Sequence, residues 1–339
     1  VPDMRGVWVV KDPDAVPAGV EHVVAGTREY YDVLARGRVF VNNVNFPNDM
    51  VKRDGTVHVM THHGTPLKKM GLDQRETPAG ATLNYDALMH RCARWDFSVT
   101  ANHFTTLAWQ HAYPGDHETL ETGYPRNDVL FRADEAAVQA ARAELGIAPD
   151  QISILYLPTH REFRSSYTPV LDVAKVADAL GPDCVLLVRT HYFYGADPQI
   201  AALHRAGRIR DVAAHPSIEQ LYLASDALVT DYSSAMFDYA VLNRPIVTHA
   251  PDWEAYRALR GTYFDLTTGG PGVFCRTEEQ VADAFESGAA FGKQAARDLA
   301  AFRDQFCSLE DGRAAERVVR RVWLGEREVS AARPAAVAR

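Results

Sequence analysis

Cysteine is scarce: Cys92, Cys184, Cys275 and Cys307 stand far apart in 339 residues and form no CxxC pair. That spacing excludes a zinc knuckle and a dense disulfide frame, and it fits a reducing compartment. No apolar run reaches the roughly 20 residues that a bilayer span needs, so any membrane contact is expected to be peripheral. No signal peptide precedes the first apolar run, Val7-Trp8-Val9-Val10, and a start at Val1 rather than Met leaves a longer parent polypeptide open. Excess positive charge is missing too. The formal net charge of -8 argues against general nucleic-acid binding, because a polyanion would be repelled. An anionic small substrate needs only local positive charge. No GxSxG elbow occurs, which disfavours a serine hydrolase, and no HExxH accompanies His62-His63, which disfavours zinc. There is no internal repeat.

What is present has the balance of a soluble globular protein, and the length predicts two domains that each bury a core. Short apolar runs alternate with longer amphipathic segments, the signature of βα units around parallel sheets. The first half predicts strands near 7–10, 22–25, 39–41, 57–60, 97–100 and 119–122, closed by a helix over 133–145. Gly146-Ile147-Ala148-Pro149-Asp150 reads as its stop signal followed by a hinge. The second half predicts strands near 152–157, 184–189, 209–212, 227–230 and 246–248, with helices over 169–180, 217–224 and 234–242. From Glu278 onward the pattern is helical, and residues 330–339 are expected to be disordered. The expected architecture is α/β and GT-B-like. Two Rossmann-like parallel-sheet domains, residues 1–148 and 149–329, face a crevice, with helices at the C-terminal end.

In open α/β sheets ligands bind beyond the carboxyl ends of the strands. Four polar clusters fall there: His62-His63-Gly64-Thr65, Thr159-His160-Arg161, Arg189-Thr190-His191 and Asp231-Tyr232-Ser233-Ser234. The last opens a helix, whose unpaired N–H groups and partial positive charge suit a phosphate or diphosphate at Ser233 and Ser234. Ser233 as a simple N-cap is the competing reading. Asp231, a carboxylate, reads as structural or as a partner for a hydroxyl or cation. His63 offers a general base on a turn where Gly64 permits close approach, because neutral imidazole accepts a proton near pH 7. One buried structural histidine beside a solvated neighbour is the alternative for His62 and His63. Arg161, Arg189 and His191 sit where they can neutralise phosphate charge, arginine's fork suiting phosphate oxygens. Lys68 and Lys69 fall one turn into an expected helix and read as solvated charges.

In order along the chain, Thr61-His62-His63-Gly64-Thr65-Pro66-Leu67-Lys68-Lys69-Met70-Gly71 resembles the WHGTPLKxxG signature of the CDP-glycerol glycerophosphotransferase family, with His62 where the family usually has Trp. Gly123-Tyr124-Pro125-Arg126-Asn127-Asp128 is similar to its GxPRND element and Leu157-Pro158-Thr159-His160-Arg161 to its PTxR element. Thr230-Asp231-Tyr232-Ser233-Ser234 through Asp238, then Arg244-Pro245-Ile246, resembles its TDYSSxxFD and RP block, and Asp252, Tyr256, Arg260-Gly261, Tyr263-Phe264-Asp265 and Asp311-Gly312 continue the series. The series covers roughly residues 37 to 323 and begins partway into the family's first domain.

The resemblance implies transfer of glycerol phosphate from CDP-glycerol to a hydroxyl of a lipid-linked glycan or polyol-phosphate acceptor, with CMP released, in synthesis of a teichoic-acid-like polymer. It implies peripheral attachment to the inner face of the cytoplasmic membrane. By position it makes His63 and His191 the catalytic pair, although this chain reads Arg189-Thr190-His191-Tyr192 where the family has Arg-x-His-Pro. Thr159, Arg161, Arg189, Asp231, Ser233 and Ser234 are the expected donor and phosphate contacts. Gly64, Thr65, Asn127, Asp128 and Asp252 are further candidates for substrate contact. No cofactor or metal is expected. A ribitolphosphotransferase, a GT-B glycosyltransferase using a nucleotide sugar, and a non-catalytic nucleotide-binding module are the alternatives.

Overall fold

The computed structural model describes residues 4–159, 170–190 and 197–327. Strands β3 (Val39–Asn42), β4 (Val57–Met60), β5 (Phe97–Thr100) and β6 (Glu118–Glu121) form a parallel sheet in that order. A second parallel sheet has the order β12-β11-β10-β7-β8-β9. Its strands are β7 (Ile152–Leu157), β8 (Cys184–Val188), β9 (Arg210–Asp211), β10 (Ala227–Thr230), β11 (Ile246–His249) and β12 (Val273–Cys275). The first two expected strands, β1 (Trp8–Val10) and β2 (His22–Val24), pair only with each other, as a small separate sheet.

The second sheet is apolar on both faces, as a strand covered by helices on each side must be. Successive residues of β7 feed opposite cores: Leu155 joins Leu187 and Leu228 on one face, and Ile154 and Tyr156 join Leu186, Val188 and Val229 on the other. Eight side chains with period-two burial fix the register, since a one-residue slip would exchange the two cores. Strand order reverses between β10 and β7, so the crevice at a topological switch point falls just past Leu157 and Thr230.

The expected helix over 133–145 is Glu135–Glu144, and a separate short helix, Asp128–Arg132, precedes it. Ala133 is extended, and the Asp134 carboxylate accepts the Ala137 N–H at 2.9 Å, which starts the second helix afresh. The expected hinge is pinned by buried Arg142. Its Nη2 donates to Ala148 O (3.1 Å) and Gln151 O (2.6 Å), and its Nη1 to Ser153 Oγ (3.1 Å) and Asp226 Oδ2 (2.9 Å).

The last helix, Ala314–Leu324, crosses back from the second half of the chain to the first sheet. Val318 packs with Val59, Val99 and Tyr124. Arg317 donates twice to Thr122 O, at 2.9 and 2.6 Å from Nε and Nη2. By its contacts this helix belongs with the first sheet, not with the second domain to which the sequence order assigns it. Residues 330–339 lie outside the described residues.

Candidate active site

The turn after β4 carries both histidines and gives them opposite surroundings. His62 is buried, its Nε2 2.9 Å from Ser98 Oγ and its ring stacked on Trp109 at 4.6 Å with Trp95 edge-on at 5.4 Å. Burial holds its pKa well below that of free imidazole, so it stays neutral. His62 takes a left-handed φ of 52°, which turns the chain so that His63 faces outward. The His63 ring is open to solvent, yet the protein around it pulls its pKa down by desolvation. Arg126 and Lys68 add to the shift, and a hydrogen bond with the Asn43 backbone opposes it.

Gly64, at φ 130°, sits against the second domain. A Cβ added there would lie 2.7 Å from Arg126 Nη2 and 2.9 and 3.0 Å from Ser234 Cβ and Oγ. Only glycine lets the His63 turn approach the start of the helix Ala235–Ala240 this closely. Ser233 is the residue that caps that helix, its Oγ accepting the Ala235 N–H at 3.2 Å, whereas Ser234 makes no side-chain cap bond and faces Gly64.

At the switch point Asp231 Oδ1 accepts from Thr159 N (2.9 Å), Thr159 Oγ1 (2.5 Å) and Tyr232 N (2.6 Å). Three donors on one oxygen make Asp231 the tie between the ends of β7 and β10. Arg189 Nη1 donates to His215 O at 2.8 Å. Burial lowers the Arg189 pKa, opposed by Tyr222 and Glu219. Asp252, at the rim, accepts from Tyr232 Oη at 2.7 Å, and the Tyr232 ring stacks on Tyr256 at 3.8 Å.

Three expected substrate contacts are interior joints instead. Thr65 is buried, 3.4 Å from Thr105 Oγ1. Asp128 caps the last helix, its two oxygens accepting Ala314 N and Ala315 N at 2.9 Å each. Asn127 Nδ2 donates to buried Glu310 Oε1 at 3.1 Å. Both oxygens of Asp128 are thus engaged inside the fold. Lys68 and Lys69 are not helical: Lys68 bridges antiparallel to Thr262, Lys69 N donates to Gly261 O (3.1 Å) and Tyr263 N to Leu67 O (2.8 Å). Arg161 and His191, like His160, lie outside the described residues.

Sequence reasoning passed over the buried charges. Arg126 Nη1 donates to His63 O at 2.9 Å, and its Nη2 pairs with Asp238 Oδ2 at 2.5 Å. Glu310 accepts Tyr124 N at 3.2 Å through Oε1, leaves Oε2 without a partner, and is pushed by burial up to about 8. Asp238 did carry a signal: it is the one charge in Ala235-Met236-Phe237-Asp238-Tyr239-Ala240, and a carboxylate in so apolar a helix needs a buried partner.

With this geometry in place, comparison with known proteins decides the family. Residues 1–324 match the model of the CDP-glycerol:poly(glycerophosphate) glycerophosphotransferases. The chain belongs to that family. It is 31% identical over 339 residues to the teichoic acid poly(glycerol phosphate) polymerase of Bacillus subtilis (strain 168), covering 96% of this chain and 45% of that protein. It is 33% identical over 317 residues to the teichoic acid glycerol-phosphate transferase of Staphylococcus aureus (strain NCTC 8325 / PS 47), covering 90% and 80%. The chain thus spans less than half of the polymerase and most of the transferase. The solved structure of the wall teichoic acid polymerase TagF superposes with a TM-score of 0.82 at 30% identity, over 94% of this chain and 80% of that one. The GT-B-like layout expected for this glycerophosphotransferase family member is the one observed.

Proposed function

We propose that this protein transfers glycerol phosphate from CDP-glycerol to a hydroxyl of a polyol-phosphate or glycan acceptor, with release of CMP, in synthesis of a teichoic-acid-like polymer. The observation that carries this reading is the contact of Gly64 with Ser234, which sets an imidazole on one domain beside a helix start on the other. The acceptor O–H gives its proton to neutral His63. Its oxygen attacks the phosphorus that bears glycerol, and the bond from that phosphorus to the bridging oxygen breaks, so the bridging oxygen leaves on CMP. Arg189 and the Ser233-Ser234 turn hold the diphosphate. Such a transfer needs positioning and charge stabilisation more than covalent help from the enzyme.

Relatives named for glycerol phosphate reach 31–33% identity over most of this chain, and those named for ribitol phosphate 25–29%, which favours glycerol. Among the described residues no helix is long and apolar enough to cross a membrane, and a lipid-linked acceptor would be met from the surface. Asp231 is engaged by three donors, which suits an anchor rather than a cation ligand, so activity should survive EDTA. Offering CDP-glycerol, CDP-ribitol and UDP-sugars in turn tests the reading. Consumption of CDP-glycerol with and without chelator is expected, and consumption of a UDP-sugar alone would replace the reading with glycosyl transfer.

A further inference from the structure

We propose that Arg126 is the positioning residue of this site, its guanidinium joining the His63 turn of the first domain to the Asp238 helix of the second so that base and donor platform form one preassembled unit. The inference rests on His63 as the base. One end of the fork holds the His63 carbonyl at 2.9 Å, and the other pairs with Asp238, a residue one turn past Ser234. The added-Cβ geometry at Gly64 puts Arg126 Nη2 and the Ser234 side chain in one small space, so the three groups share a single packing solution.

The joint is reinforced a few residues on. Leu67, Lys68 and Lys69 pair with Gly261, Thr262 and Tyr263 through backbone hydrogen bonds, and Tyr263 Oη donates to Asp73 Oδ2 at 2.5 Å. The chain that follows the His63 turn is therefore stitched to the second domain. A hinge motion of the first sheet would have to tear these bonds to separate His63 from Ser234.

Arg126 is suited to the task by chemistry as well as by place. A planar fork can serve two acceptors on two domains at fixed angles, which an ammonium cannot. Burial opposes its charge, and Asp238 more than offsets that, so the cation persists at all working pH values. The charged groups acting on the His63 ring are Arg126 from the turn after β6 and Lys68 from its own loop, beside neutral His62. Desolvation is the larger cause of the lowered His63 pKa, and both cations add to it, so Arg126 disfavours the imidazolium while it holds the turn in place.

The test uses the full chain with isotope-labelled histidine, the His63 signal being assigned by its loss in His63→Ala. NMR titration and pH-rate profiles are compared for wild type, Arg126→Lys, Arg126→Gln, and the double variant Arg126→Gln/Asp238→Asn, which leaves no buried carboxylate unpaired and keeps the fold accessible. Loss of the charge should raise the His63 pKa and move the acid limb of the rate profile up with it. The plateau kcat should fall on the order of 10- to 100-fold, as for a displaced base, with a smaller change in donor KM. Arg126→Lys should titrate closer to wild type and still lose kcat. A folded double variant with kcat within about twofold of wild type would overturn the proposal. If no chain transfers glycerol phosphate, the proposed function falls, and an unchanged His63 titration in the double variant then decides against Arg126 by itself.

Discussion

Imidazole at position 63 is kept neutral by its surroundings, and the sign of that effect fixes a pH dependence. Desolvation, then Arg126 and Lys68, lower the His63 pKa, so the base form dominates at neutral pH and activity should fall only as the solution is acidified through the lowered pKa. His63→Ala should reduce kcat by about 10² to 10⁴ and flatten this acid limb, with donor binding nearly intact. An unchanged rate would make His63 structural. At this scale the sequence was half legible. It placed two histidines on a strand-end turn, but which one points outward depends on the left-handed φ of His62 and on the Trp95 and Trp109 rings that receive it. Those rings come from 33 and 47 residues away, which no local pattern reports. The structural partners of Asp128 were illegible for a related reason: Ala314 N and Ala315 N are distant from it in sequence.

Elements were easier to read than residues, because short runs rich in β-branched and apolar residues stand apart from the longer amphipathic segments between them. β4, β5, β7 and β10 have the expected bounds. β12 was missed since Val273–Cys275 is three residues between a Gly-Pro-Gly turn and a capping box, too short for a periodic signal. The helix Glu135–Glu144 was read in place, but the short helix Asp128–Arg132 ahead of it, five residues long, was too short for a periodic signal. The destination of the last helix was invisible as well, for its amphipathic face fits either sheet. Its N-terminus depends on the Asp128 carboxylate, so Asp128→Ala should destabilise the protein by roughly 1 to 2 kcal/mol in urea titration. Donor affinity should not change. Weakened donor binding at unchanged stability would return Asp128 to the substrate site.

For the molecule as a whole, two parallel sheets and the crevice between them follow from the alternation of apolar runs and helices, but the joint between the domains does not. It is made by Arg126 with Asp238, the Leu67–Lys69 backbone and the returning last helix, all of them long-range pairings. Buried His58 makes stability pH-dependent. Its Nε2 meets Asn42 Oδ1 at 2.9 Å, and burial, with Arg94 and Lys52, lowers its pKa to about 4. The unfolded chain binds that proton from about pH 6.5 downward and the native one does not. Stability should therefore be lost as pH falls from about 6.5 to 4, by up to about 3 kcal/mol from this residue. His58→Gln, which keeps a donor for Asn42 and does not titrate, should flatten that part of the urea-derived stability profile. An identical fall in the variant would assign the acid sensitivity elsewhere.

In the proposed reaction the bond broken lies in the donor diphosphate, between phosphorus and the bridging oxygen. The decisive observation is the nucleotide released from CDP-glycerol in the presence of a polyol-phosphate acceptor, followed by chromatography and phosphorus NMR. CMP is expected, with one new phosphodiester on the acceptor for each CMP formed, and a rate that collapses in His63→Ala. A nucleoside diphosphate as the product, with the acceptor gaining no phosphorus, would contradict it.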